Sequence, residues 1–268
     1  MKLDQIFQRL WETYTAQNPD VQQVYDLFTR EGERVVNDHI AFRTFDDPRI
    51  NIDVLAKPFL AKGYKQKGHY HFKEKKLFAR HYEHVTDKEA PRVFISELLT
   101  SQFSPFLKET VRKAIDQMAI DKMDADGLIF SGRLWEKPSF EVYNKLKEES
   151  EYAAWVYVFG FCANHFTVSV NYLNKYDSVE KVNSLLKDHG FLINDSGGEI
   201  KGTPADLLEQ SSIKSGIVNI DFMEGSFDIP GCYYEFARRY PDENGKLYSG
   251  FIAKSADKIF ESTNFYKK

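Results

Sequence analysis

The nine residues NDHIAFRTF, Asn37 to Phe45, decide how this chain is read. They are rich in β-branched and aromatic types, and Asp46, Asp47 and Pro48 stop them, so the stretch predicts a strand. Strand side chains alternate with period two, which puts His39, Ala41, Arg43 and Phe45 on one face and Ile40, Phe42 and Thr44 on the other. The run HFTVSVNY, His165 to Tyr172, repeats the pattern. There His165, Thr167, Ser169 and Asn171 share a polar face, and Phe166, Val168, Val170 and Tyr172 form the apolar one. A polar strand face meets water in a flat sheet and lines a pocket in a curved one; alternation is the same in both.

Working outward from the first strand, Ile52 to Lys62 has helical spacing and ends at Gly63. Tyr64 to Phe72, Lys76 to Glu83 and Arg92 to Leu98 then read as strands. The order over residues 37–98 is β-α-β-β-β. Over residues 157–240 the second strand is followed by a helix, Val179 to His189, closed by Gly190. Three weaker strands come next, at Gly198 to Lys201, Gly216 to Phe222 and Tyr233 to Tyr240, so the order recurs. Histidine and glutamate positions agree with a repeat: His39 opens the first module and Glu97 sits in its last strand, 97 − 39 = 58 apart, while His165 and Glu235 are 235 − 165 = 70 apart. Residues 103–152 read as a helical connection, Leu3 to Ala16 and Val21 to Arg30 as two leading helices, and 241–268 as a C-terminal segment. The expected architecture is α+β: paired β-α-β-β-β modules forming a curved sheet with added helices, in one compact unit spanning 1–268.

Composition narrows the function. The 268 residues include 42% hydrophobic types, enough for a substantial core. Thirty-six Lys and Arg against 40 Asp and Glu leave a net charge of −4, without the basic excess that a nucleic-acid backbone selects. No stretch approaches the roughly 18 apolar residues of a membrane span, so the expectation is a soluble, cytoplasmic chain without a signal peptide. Two cysteines, Cys162 and Cys232, agree with a reducing compartment. Phosphate loops, dinucleotide fingerprints, nucleophile elbows and the HExxH zinc motif are absent from the sequence.

The residues that remain point to a metal. Neutral imidazoles of His39 and His165 with the Glu235 carboxylate would make a facial triad with open positions, a ligand set suited to non-haem iron(II) and oxygen. Against this stands a strand histidine satisfied by a carbonyl or by water. Glu97, at the equivalent element of the first module, is a ligand, a hydrogen-bond partner of one, or a structural residue. Arg43, four strand residues beyond His39 and so about 13 Å along, either holds the distal carboxylate of a substrate bidentately or pairs with Asp46 or Asp47. A rival cluster, His69 and His81 across a turn centred on Lys75 with His71 beside them, lacks a carboxylate and is flanked by Lys73, Lys75 and Lys76. Cys162 with His165 and Cys232 with Glu235 stand three apart, on opposite strand faces, and cannot chelate together.

At NDHIAFRTF, RVFISELL, NHFTVSVN, the PGCYYEFARR run from Pro230 to Arg239 and the closing GFIAKSADKIFEST, the chain resembles the 2-oxoadipate dioxygenase/decarboxylase family over nearly its whole length. The resemblance implies a variant of the vicinal oxygen chelate fold, with iron(II) held by His39, His165 and Glu235 and with Arg43 in the place of the family's carboxylate-binding arginine. It implies a dioxygenase of lysine catabolism in which the substrate's own 2-oxo acid is decarboxylated: 2-oxoadipate and O2 give 2-hydroxyglutarate and CO2. Thr167 and Ser169 would line that pocket. Zinc, nickel or manganese in place of iron would give an oxygen-independent lyase, isomerase or hydrolase on the same fold, and a metal-free cleft would leave a carboxylate-binding module. The expected partners are a small 2-oxo dicarboxylic acid and O2, with no nucleic acid and no membrane; nothing in the sequence sets an oligomeric state.

Overall fold

The computed structural model describes residues 1–119 and 126–252. Two helices lead, α1 (Leu3–Gln17) and α2 (Pro19–Arg30), broken where Pro19 starts the second. The first module follows: β1 (Asn37–Phe45), α3 (Ile52–Leu60), β2 (Tyr64–Phe72), β3 (Leu77–His84) and β4 (Arg92–Leu98). Asn51 caps α3 by accepting from the Val54 amide, and Gly63, at φ 90°, turns the chain into β2. The connection carries α4 (Pro105–Asp116), α5 (Phe140–Glu149) and α6 (Glu151–Phe159). The second module is β5 (Ala163–Ser169), α7 (Val179–Asp188), β6 (Lys201–Thr203), β7 (Leu208–Ser212), the hairpin β8 (Ile217–Phe222) and β9 (Gly225–Pro230), and β10 (Glu235–Arg239).

Eight strands form one sheet in the order β2-β3-β4-β1-β5-β10-β7-β6. Each half contributes four neighbours with the same pairing: β1 runs parallel to β4 as β5 does to β10, and the outer pairs are antiparallel. The halves meet where β1 and β5 pair antiparallel at the centre. All of β5 and nearly all of β1 are buried, because helices cover the apolar face while the sheet curls around the polar one. Phe166 of β5 meets the rings of Trp11 and Tyr14 of α1, each at 5.1 Å, Phe236 of β10 meets Phe28 of α2, and Phe42 of β1 meets Phe59 of α3. The opposite face, carrying His39, Arg43, His165, Thr167 and Glu235, is turned inward.

The second module departs from its sequence reading in several places: the strand expected at Gly198 to Lys201 forms at Lys201–Thr203, and β9 had no counterpart in the sequence reading. Leu208–Ser212 (LEQSS) is a fully buried strand that was not expected, since its polar composition hides it; Gln210 bonds Glu235 and Ser211 bonds Asn183 of α7. The expected strand at Gly216 to Phe222 does form, but it pairs with β9 in a separate hairpin instead of joining the sheet. The second strand ends at Ser169, so Asn171 is off the strand face; its amide instead exchanges two hydrogen bonds of 2.9 Å with the backbone of Arg239 and extends the β5–β10 pairing by a side chain. In the connection, α6 runs on to Phe159, past the expected boundary at 152. Residues 253–268 of the C-terminal segment lie outside the described residues.

Phe166→Ala would empty the contact between α1 and β5 and is expected to destabilise the fold by about 3–5 kcal/mol. Leu192→Ala, at an exposed side chain, should stay within about 0.5 kcal/mol. Urea unfolding midpoints at unchanged slope check both.

Candidate metal centre

Register places the three candidate ligands. His39 pairs with Thr167 and Thr167 with Glu235, so the three lie in one row across β1, β5 and β10, and His165 stands one step away beside Ala41. The donor atoms of His39, His165 and Glu235 all lie within 4.8 Å of one another, and all three residues are buried. His165 Nε2 is 3.2 Å from Glu235 Oε2, and His39 Nε2 is 3.7 Å from Oε1. The imidazoles stand nearly perpendicular at a ring separation of 5.5 Å.

Each imidazole is oriented by the residue before it. The Asp38 carboxylate takes His39 Nδ1 at 2.9 Å, and the Asn164 side-chain oxygen takes His165 Nδ1 at 3.0 Å, which leaves both Nε2 lone pairs facing inward. Asp38 is fully buried, which opposes its charge, but Arg239 grips both of its oxygens at 2.7 and 2.9 Å and Arg92 approaches to 3.3 Å, so its pKa stays well below the usual carboxylate range. Burial lowers the pKa of His165, which favours the neutral, ligating form. For Glu235 burial works toward protonation, whereas the Gln210 amide, donating at 2.5 Å, and the imidazoles whenever they carry a proton on Nε2 work the other way, so its pKa lies below the usual carboxylate value. The donor set of two neutral nitrogens and one anionic oxygen fits a divalent cation.

Arg43 lies on the same face. Its guanidinium sits over the rings of Tyr152 and Trp155 of α6, at 5.0 and 5.2 Å, and faces the Tyr233 hydroxyl. The alternative partners expected from sequence are engaged elsewhere: Asp46 accepts from Thr100 and Asp47 from Arg49. A cavity of about 310 Å³ opens onto Arg43 and Tyr152, walled by the β2–β3 turn and the α5–α6 junction. Thr167 Oγ1 is 3.1 Å from His39 Nε2, at the ligands themselves, whereas Ser169 is buried farther along the strand. From the C-terminal side Phe251 packs edge-on against the His39 ring at 4.8 Å. Its strap is tied down by Arg239, which donates to the carbonyls of Tyr248 and Gly250, and by Tyr70, which accepts from the Phe251 amide.

Glu97 is neither a ligand nor a partner of one. It pairs with Thr44 and shares that residue's outward face, where it accepts from the Ile52 amide at the start of α3. Two residues beyond His165 the register reaches Glu235, and two beyond His39 it reaches Phe94, so the equivalent of Glu235 is an apolar ring. The hairpin histidines also separate. The register pairs His69 with Arg80, one residue off the expected alignment, and His81 turns inward to Tyr70 and Glu83. Cys162 and Cys232 are buried and unbridged. Sequence reasoning missed Asp38, Asn164, Gln210 and Tyr233, and it gave Trp155 no role; the Asp-His and Asn-His dipeptides were the one available signal.

The profile of the 2-oxoadipate dioxygenase/decarboxylase family matches residues 6–246. A rice protein named 2-oxoadipate dioxygenase/decarboxylase, chloroplastic/amyloplastic, is 34% identical over 97% of this chain and 78% of its own length. The crystal structure of hydroxyglutarate synthase from Oryza sativa in complex with 2-oxoadipate superposes with a TM-score of 0.90 at 32% identity, covering 97% of this chain and 91% of that one. A structure from Shewanella frigidimarina, named as a hydrolase, superposes at 0.88 with 47% identity, over 93% of this chain and 97% of the other. This chain belongs to the 2-oxoadipate dioxygenase/decarboxylase family.

Proposed function

We propose that the protein is an iron(II)-dependent dioxygenase that decarboxylates a small 2-oxo dicarboxylic acid, converting 2-oxoadipate and O2 to 2-hydroxyglutarate and CO2. The observation that carries this reading is the juxtaposition, on one enclosed sheet face, of the His39, His165 and Glu235 donor atoms with the Arg43 guanidinium. A metal held by the three ligands keeps open positions for a 2-oxo acid and oxygen and supplies Lewis-acid and redox chemistry. Both atoms of O2 would remain in 2-hydroxyglutarate, one in the carboxylate formed from the keto carbon and one in the new hydroxyl, while CO2 leaves with the oxygens of the original 1-carboxylate, so no separate reductant is needed.

The chain's own residues do the rest. Arg43 holds the distal carboxylate, with Tyr152 and Trp155 restricting the guanidinium so that the substrate is gripped at two ends. Asp38 and Asn164 fix both imidazoles in the ligating tautomer. Phe251 and Phe94, whose rings pack at 4.8 Å, exclude water beside His39 and protect a reactive oxidant from solvent.

Oxygen uptake by anaerobically iron-loaded protein, given 2-oxoadipate, tests the reaction. One CO2 per O2 with 2-hydroxyglutarate formed is expected; turnover that persists without oxygen would replace this reading with the hydrolase or lyase class. Roles separate by substitution. His39→Ala and Glu235→Ala should lose bound metal and activity together, measured as metal per chain, whereas Arg43→Ala should keep its metal and raise KM for 2-oxoadipate roughly 10- to 100-fold, the worth of a charged hydrogen bond. Asp38→Asn should retain all three ligands yet weaken metal affinity about 10- to 100-fold in a chelator competition.

A further inference from the structure

Tyr233 joins the two ends of the site. Its ring stacks on the His165 imidazole at 4.8 Å with an interplanar angle of 25°, and its hydroxyl faces Arg43. Few side chains here are held so firmly. The Tyr233 carbonyl accepts from the Tyr14 hydroxyl, and the preceding Cys232 amide donates to Asn18 at 2.8 Å, so α1 and the turn into α2 lock the segment that enters β10. The residue is fully buried, and beyond the Arg43 guanidinium, which can only donate to it, its hydroxyl meets no group among the described residues that accepts its proton. A buried hydroxyl left so costs stability and requires an explanation. Phenylalanine would supply the same ring stack without that cost, so the hydroxyl has a use that the protein alone does not reveal.

We propose that Tyr233 completes the carboxylate receptor: its hydroxyl donates a hydrogen bond to the substrate carboxylate held by Arg43, and its stack on His165 fixes the distance between that receptor and the metal ligands. This rests on the reading of Arg43 given above and deepens it. A single ring that touches a ligand at one face and the receptor at its tip acts as a spacer. The site therefore selects dicarboxylates by chain length, and the segment Cys232–Glu235 carries both the spacer and the ligand Glu235.

The test is calorimetric titration of the iron(II)-loaded, full-length protein under anaerobic conditions, with 2-oxoadipate and with 2-oxohexanoate, which has the same chain but a methyl group in place of the distal carboxylate. Tyr233→Phe should bind 2-oxoadipate about 10- to 100-fold more weakly, bind 2-oxohexanoate as the parent does, and keep its metal content. Its ligand-free unfolding midpoint should change little, because the ring stack on His165 is kept and only the hydroxyl beside Arg43 is removed; a tyrosine whose role is structural would lower it clearly. Equal losses for both acids, or no loss for either, would overturn the assignment. Failure of the Arg43 reading looks different: the parent protein would then bind the two acids equally, and the assignment of Tyr233 would fall with it.

Discussion

The antiparallel pairing of β1 with β5 is the constraint on which the rest of the molecule depends. It closes two four-strand halves into one sheet, so the polar faces of β1 and β5 end up in its middle. A central strand is covered on both sides, and a polar face there survives only when every group finds a partner. The pairing also sets the register: a slip of one residue would turn His39 or His165 outward toward the helices and bring Phe166 or Ile40 into the cleft. Packing of Phe166, Phe236 and Phe42 against α1, α2 and α3 opposes such a slip, so the apolar face of the sheet holds the chemistry of the other face in place.

Charge inside this cleft is balanced locally. Asp38 is ionised at full burial because Arg239 and Arg92 surround it, and the pKa of Glu235 is lowered by the Gln210 amide and by any proton the neighbouring imidazoles carry. Removing one partner from such a cluster typically costs about 3–5 kcal/mol, since it strands the remaining charge. The two imidazoles are treated differently by the two halves: a carboxylate backs His39 and a neutral amide backs His165. The halves thus share a topology while presenting unequal nitrogens, and the position matching Glu235 has become Phe94. The repeat supplies the frame, and divergence at these two positions supplies a one-sided site.

Much of this was legible in the sequence where periodicity and residue type agree. NDHIAFRTF and HFTVSVNY alternate cleanly, are bounded by turn residues, and carry their histidines on the polar face, so strand and face could be read together. LEQSS could not be read, because its stability comes from Gln210 and Ser211 bonding Glu235 and Asn183, partners distant in sequence. Glu97 misled because element order fixes which strand pairs with which but not the register within the pair, and three residues of offset separate it from Phe94. Tyr233 opens an expected strand and carries no further signal in the sequence, since its ring neighbours, His165 and Arg43, are distant along the chain.

Arg239 has a further consequence, through the two things it holds at once. The same guanidinium neutralises the carboxylate behind His39 and ties down the carbonyls of Tyr248 and Gly250, which seat Phe251 on the His39 ring. Orientation of a ligand and enclosure of the cleft are therefore not independent variables. A strap that lifts away surrenders two hydrogen bonds on an arginine that must still answer to Asp38, and the carboxylate feels the change in its counter-ion. One arginine thus links how His39 is held to how the cleft is covered.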